Sequence, residues 1–122
     1  MKSKEDLIAI LNGICQKDPR YKIDAYSFVL AGLNYTMEKL AREGHVSGQE
    51  LCEGIKNFAI EQYGRMACVV FEHWGITKTE DFGNIVFNMI DVEVLGKTES
   101  DTVDDFKNIY DFKKVFEDEY QY

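Results

Sequence analysis

The chain has 122 residues, 45% of them hydrophobic and 13% aromatic, with a formal net charge of −8. That is the length of one domain with material for a hydrophobic core, and no apolar run reaches the roughly 18 residues that would predict a membrane-spanning helix. The charge is concentrated. Residues 91–122 hold ten acids and four lysines (4 − 10 = −6), against twelve acids and ten bases in the first ninety (10 − 12 = −2). No stripe of Lys and Arg offsets the acidic end, so nucleic acid and anionic membrane are not expected partners.

The opening residues, MKSKEDLIAI, place acids directly after the lysines and offer no small-residue cleavage site, so they do not read as an export signal. Cys15, Cys52 and Cys68 are odd in number and widely spaced. They are expected to be reduced thiols in a cytoplasmic protein.

Leu7, Leu11, Ile14 and Cys15 fall on one face of a predicted helix over 4–17, which Pro19 ends by pushing Asp18 out of the helical region. A second helix is expected over 24–42, with Ala25, Phe28, Val29, Leu33, Met37 and Leu40 as its apolar stripe. Arg42 lies in its last turn, and Gly44 stands just beyond as a left-handed cap.

The stretch GHVSGQELCEG predicts the start of a third helix over 47–63. Ser47 is the N-cap, Glu50 closes a capping box with it, and Val46 staples onto Leu51. Gly64 interrupts the phase, so a separate helix is expected over 65–73, with RMACVVF as the most buried element. Thr79 opens a fifth helix over 79–91, with Glu80 and Asp81 in its first turn and Phe82, Ile85, Val86, Met89 and Ile90 buried.

Beyond Asp91 the pattern weakens. DVEVL alternates like a strand, GKTES reads as a turn, and DDFKNIY pairs back or is helical. DFKKVFEDEY reads as a short helix capped by Asp111. The expected fold is one mainly α domain over 1–122. It is a compact bundle of five to six helices, with room for a small two-stranded β element in the C-terminal third.

Chemistry-bearing constellations are sparse. The capping box accounts for Ser47 and Glu50 and leaves His45, Cys52 and Glu53 without a structural role. A small enzyme or metal protein would use His45 with His73, Cys52 or Glu53. No C-x2-C or H-x3-H pair supports zinc, and each cysteine sits on or beside an apolar stripe, where a thiol behaves as a small hydrophobe. His73 in EHWG has the competing reading of a favourable contact at a helix C-terminus. The DFG of Asp81–Gly83 reads as helix-start acid, core aromatic and close-contact glycine. The helical glycines Gly13, Gly32, Gly54 and Gly83 mark close helix approach, and no phosphate cradle or other cofactor site is implied.

Phe106, Tyr110, Phe112, Phe116, Tyr120 and Tyr122 crowd the acidic end. They form either an acid-rimmed aromatic surface for a protein partner or a second copy, or part of the core with the acids serving solubility. The favoured functional expectation is a non-enzymatic protein-interaction domain.

In DAYSFVLAGL, HVSGQELCEGI, WGITKTEDFGNIVFNMI and DFKNIYDF the chain resembles a family of small bacterial hypothetical proteins of verrucomicrobial and planctomycete type. The likeness runs from about Tyr21 to Tyr120. It implies a stand-alone bacterial domain and assigns no catalytic residue, cofactor or partner.

Overall fold

The computed structural model describes residues 4–41, 46–95 and 103–118. Five α-helices make up most of it: α1 (Lys4–Lys17), α2 (Ile23–Lys39), α3 (Gly48–Tyr63), α4 (Ala67–Trp74) and α5 (Thr79–Asp91). A 3₁₀ turn at Gly64–Met66 precedes α4, and an arm follows α5 with a 3₁₀ turn at Val103–Phe106 and a π turn at Lys114–Asp118. Helix α2 lies at the centre, packed against α1, α3, α4 and α5.

The expected helix starts and stops have visible local causes. The Ser47 hydroxyl accepts from the Glu50 N–H at 3.1 Å, and the Glu50 carboxylate accepts from the Ser47 N–H at 3.0 Å. Val46 and Leu51 on either side of this capping box are both buried. Gly64 breaks the helix outright: its φ of 54° and ψ of −130° suit glycine alone, so α3 and α4 are separate. At the end of α4 the Ile76 N–H bonds the Phe71 carbonyl and the Gly75 N–H bonds that of Glu72. That pairing, with Gly75 left-handed between, is a Schellman motif. A Cβ on Gly75 would also lie 2.0 Å from the Arg20 carbonyl oxygen, so glycine is required twice over.

Four expectations need correction. Helix α2 ends at Lys39 rather than 42, and the left-handed residue beyond it is Ala41; Arg42 and Gly44 fall outside the described residues. DVEVL is not a strand, and no strand occurs among the described residues. The Val94 N–H reaches the Met89 carbonyl and the Glu93 N–H that of Ile90, a second Schellman motif with Glu93 left-handed. The apparent alternation arises because Val92, Val94 and Leu95 fold back onto the core as the helix stops. The turn expected in GKTES falls outside the described residues.

RMACVVF is not buried all round, since Met66 is 57% and Val69 52% exposed while Ala67, Cys68 and Phe71 face inward. Among the helical glycines, Gly54 and Gly83 do mark close approach. A Cβ at Gly54 would lie 1.7 Å from Thr36 Oγ1, and one at Gly83 would lie 2.8 Å from the Phe106 ring. Gly13, by contrast, faces open space.

The arm is part of the core. Phe106, Phe112 and Phe116 are buried, and the Tyr110 hydroxyl donates to the Cys52 carbonyl at 2.7 Å. Asp111 caps the last turn as expected by accepting from the Lys114 N–H at 3.0 Å. The aromatic half of an acid-rimmed binding surface is therefore spent inside the molecule for these three rings. Tyr120 and Tyr122 lie outside the described residues.

Ser47→Ala should lower stability by about 1 kcal/mol in urea denaturation, because the Glu50 N–H at the helix start loses its partner. In the same measurement Gly13→Ala should raise stability by about 0.5–1 kcal/mol, since the helix gains propensity and the methyl meets nothing. Gly54→Ala should lower it through the clash with Thr36.

Candidate functional site

The residues singled out by sequence are placed apart in character. Cys52 lies on the inner side of α3, fully buried, and burial pushes its thiol up to about 12. Glu53, the next residue, is exposed and pairs with the Lys56 ammonium at 2.5 Å. His73 is exposed in the last turn of α4. His45 lies outside the described residues. Among the described residues no three His, Cys, Asp or Glu side chains are grouped to hold a metal ion. The three cysteines are free, and the Cys68 thiol donates to the Phe112 carbonyl at 3.4 Å.

The structure assembles a polar cluster that sequence reasoning missed. After Pro19 the chain turns back, and the Lys22 N–H bonds the Trp74 carbonyl at 3.1 Å, which sets the α1–α2 connection against the end of α4. Arg20 clasps Asp18 with both prongs, Nε to Oδ1 at 2.8 Å and Nη2 to Oδ2 at 2.7 Å. Asn88 Nδ2 then joins Asp18 Oδ2 at 2.9 Å to the Tyr26 hydroxyl at 3.1 Å.

One turn earlier on α5, Asn84 Nδ2 donates to the Tyr21 hydroxyl at 3.0 Å, and that hydroxyl donates to Asp81 Oδ1 at 2.5 Å. Asp81 Oδ2 accepts from the N–H groups of Thr77 and Lys78 at 2.8 and 3.2 Å, closing the start of α5. The Arg20 guanidinium lies 5.2 Å from the Tyr21 ring centroid. The readable signal was Asp81, Asn84 and Asn88 in one line along an otherwise apolar helix.

The electrostatics make this cluster a lock. The Arg20 hydrogen bonds hold the Asp18 carboxyl far below the usual carboxylate range. Burial, and then the bond to Asp81, raises the Tyr21 phenol well above its ordinary value, and burial raises Tyr26 as well. Both phenols stay protonated at neutral pH, and the Asp81 carboxylate is occupied by four donors, the Tyr21 and Thr77 hydroxyls and the Thr77 and Lys78 N–H groups. No buried side-chain polar atom among the described residues lacks a partner. A satisfied network of this kind fixes register between elements.

The outer surface of α4 is different. Met66 and Val69, three residues apart, are the two most exposed of the large apolar side chains among the described residues, with Arg65, Glu72 and His73 also exposed along the same stretch. A shallow open groove of about 260 Å³ adjoins it, lined by Cys68, Glu72, Ile76, Thr77, Asp111 and Lys113. Its Thr77 hydroxyl already bonds Asp81, and its Asp111 carboxylate bonds the Lys114 N–H.

Comparison of the chain with protein-family models, with curated proteins and with solved structures finds no significant match.

Tyr21→Phe removes one of the donors to buried Asp81 and should cost roughly 1–3 kcal/mol at pH 7. The sign at high pH follows from the raised phenol: the stability it contributes is complete below its unfolded value of 10 and is lost as pH rises from there toward the folded value. Urea midpoints should therefore fall above pH 10 in the parent chain and fall less steeply in Tyr21→Phe.

Proposed function

We propose that this chain is a small, non-enzymatic protein-interaction domain of the bacterial cytoplasm, with the outer face of α4 as its contact surface. One observation carries the reading: Met66, at the end of the turn that leads into α4, and Val69, in the first turn of α4, stand more than half exposed, while the other side of the helix is anchored in the core. Exposed apolar side chains that adjoin on a rigid element are what a protein partner desolvates for affinity. The helix is rigid because Phe71 and Ile76 fasten it from inside and Gly75 stops it.

The bacterial and cytoplasmic parts of the proposal rest on the resemblance and on the reduced-thiol reading of the cysteines. No helix of the described residues is long and apolar enough to cross a membrane. The acidic charge also disfavours a nucleic-acid partner.

The double variant Met66→Gln/Val69→Gln tests the surface in a pull-down with the full-length chain from its native host. Partners should be retained by the parent chain and lost by the variant, with an unchanged far-UV circular dichroism spectrum. The arm variant Asp104→Asn, at an exposed acid outside that groove, should leave recovery unaltered. Equal recovery with the α4 variant, or loss only with the arm variant, would move the contact surface elsewhere.

A further inference from the structure

We propose that the arm, residues 103–118, is a strap that opens as one unit while the five helices stay folded, and that its opening uncovers the thiols of Cys52 and Cys68. The seat it fills is shaped for it. On α3, a Cβ at Gly48 would lie 3.0 Å from Asp105 and 3.1 Å from the Phe106 ring, and Cys52, one turn on, gives its carbonyl to the Tyr110 hydroxyl. On α5, Thr79 Oγ1 accepts from the Ile109 N–H at 3.2 Å, and Gly83, one turn on, lies beneath the Phe106 ring. Further along, Phe112 and Phe116 close on Phe71, and the Phe112 carbonyl accepts from the Cys68 thiol.

The way the arm is attached separates it from the rest. Helices α1, α3, α4 and α5 all pack on α2, whereas the arm packs on α3, α4, α5 and the Gly64–Met66 turn. Its own regular structure is one 3₁₀ turn and one π turn, and among the described residues no backbone-to-backbone hydrogen bond ties it to the helices. Its release therefore breaks side-chain contacts and leaves the hydrogen bonds of all five helices in place. A segment added to the outside of a bundle centred elsewhere, with little regular backbone bonding of its own, opens at a lower free energy than the whole molecule.

The cysteines report on this opening. Cys52 is 0% and Cys68 8% exposed, and the arm lies against both. Cys15 is half-buried on α1, beside Asp18 and Lys22, and does not depend on the arm for its cover.

Alkylation by iodoacetamide of the purified full chain, read for each cysteine by mass spectrometry, measures the opening, with the urea-unfolded chain giving the unprotected rates. Cys52 and Cys68 should show equal protection, well short of the protection that global stability from urea denaturation would give. Cys15 should react faster than either. Phe106→Ala removes a ring six residues before the Phe112 carbonyl that Cys68 bonds, so an arm that leaves as one unit should speed Cys68 as much as Cys52, by roughly a hundredfold. Leu11→Ala, buried in α1, should lower global stability and leave both rates unchanged.

Protection equal to global stability, unequal protection of the two thiols, or a Phe106→Ala effect confined to Cys52 overturns the proposal. So does a rise at both thiols in Leu11→Ala that matches its loss of global stability, since the helices would then unfold with the arm. Where circular dichroism shows that Phe106→Ala no longer folds, Phe106→Leu carries the same comparison with a smaller rise at both thiols.

Discussion

Phe71 sits where four parts of the chain converge. Its ring lies within 5.5 to 6.1 Å, centroid to centroid, of Phe28 from α2, Trp74 from α4 itself, Phe82 from α5 and Phe112 and Phe116 from the arm. Several of these pairs meet edge to face, an arrangement worth about 0.5–1.5 kcal/mol each beyond the area buried. Phe28 extends the cluster to Phe58 and Tyr63 of α3. Because one residue of the shortest helix touches so many elements, the orientation of α4 is fixed by what its inner side must reach. The exposure of Met66 and Val69 is the other side of that requirement. An eight-residue helix that is apolar on both sides buries one of them, and the Phe71 side has the partners.

The aromatic cluster is directionally loose, since rings accept a range of tilts. The polar cluster at Asp18, Arg20, Tyr21, Asp81, Asn84 and Asn88 supplies the missing specificity. A hydroxyl-to-carboxylate bond of 2.5 Å and a two-pronged Arg20–Asp18 pair tolerate little sliding. They hold the α1–α2 connection to one register on α5. The rings thus supply cohesion, and the hydrogen bonds select one arrangement among those the rings would accept.

What could be read from the sequence follows the range of the interactions. The starts of α3 and α5 were legible because Ser47 with Glu50, and Thr79 with Glu80 and Asp81, act within one helical turn. Lys4–Lys17 was legible because Pro19 stops a helix from outside. The Tyr21–Asp81 bond spans sixty residues and left only the trace of short polar groups at Asp81, Asn84 and Asn88. Periodicity misjudged DVEVL, because a helix end that folds apolar side chains back onto the core alternates over five residues just as a strand does. It also failed for RMACVVF, since a pattern apolar on every side carries no information about which side is covered. The candidate contact surface is therefore visible only in three dimensions and not in the pattern.

The position of the arm residues in the core sets an order of events during synthesis. Chains fold as they emerge, N-terminal parts first. When α4 has left the ribosome, Phe71 has Phe28 and Trp74 beside it. Phe82 arrives with the next helix, and Phe112 and Phe116 come some forty residues later. Until then the inner sides of α4 and α5 lack the rings that cover them, and Gly83 lacks the Phe106 side chain that rests on it. The core around Phe71 is therefore complete only once the arm has been made. A chain halted between α5 and the arm would present uncovered apolar surface to quality-control proteases and chaperones even though all five helices had been made.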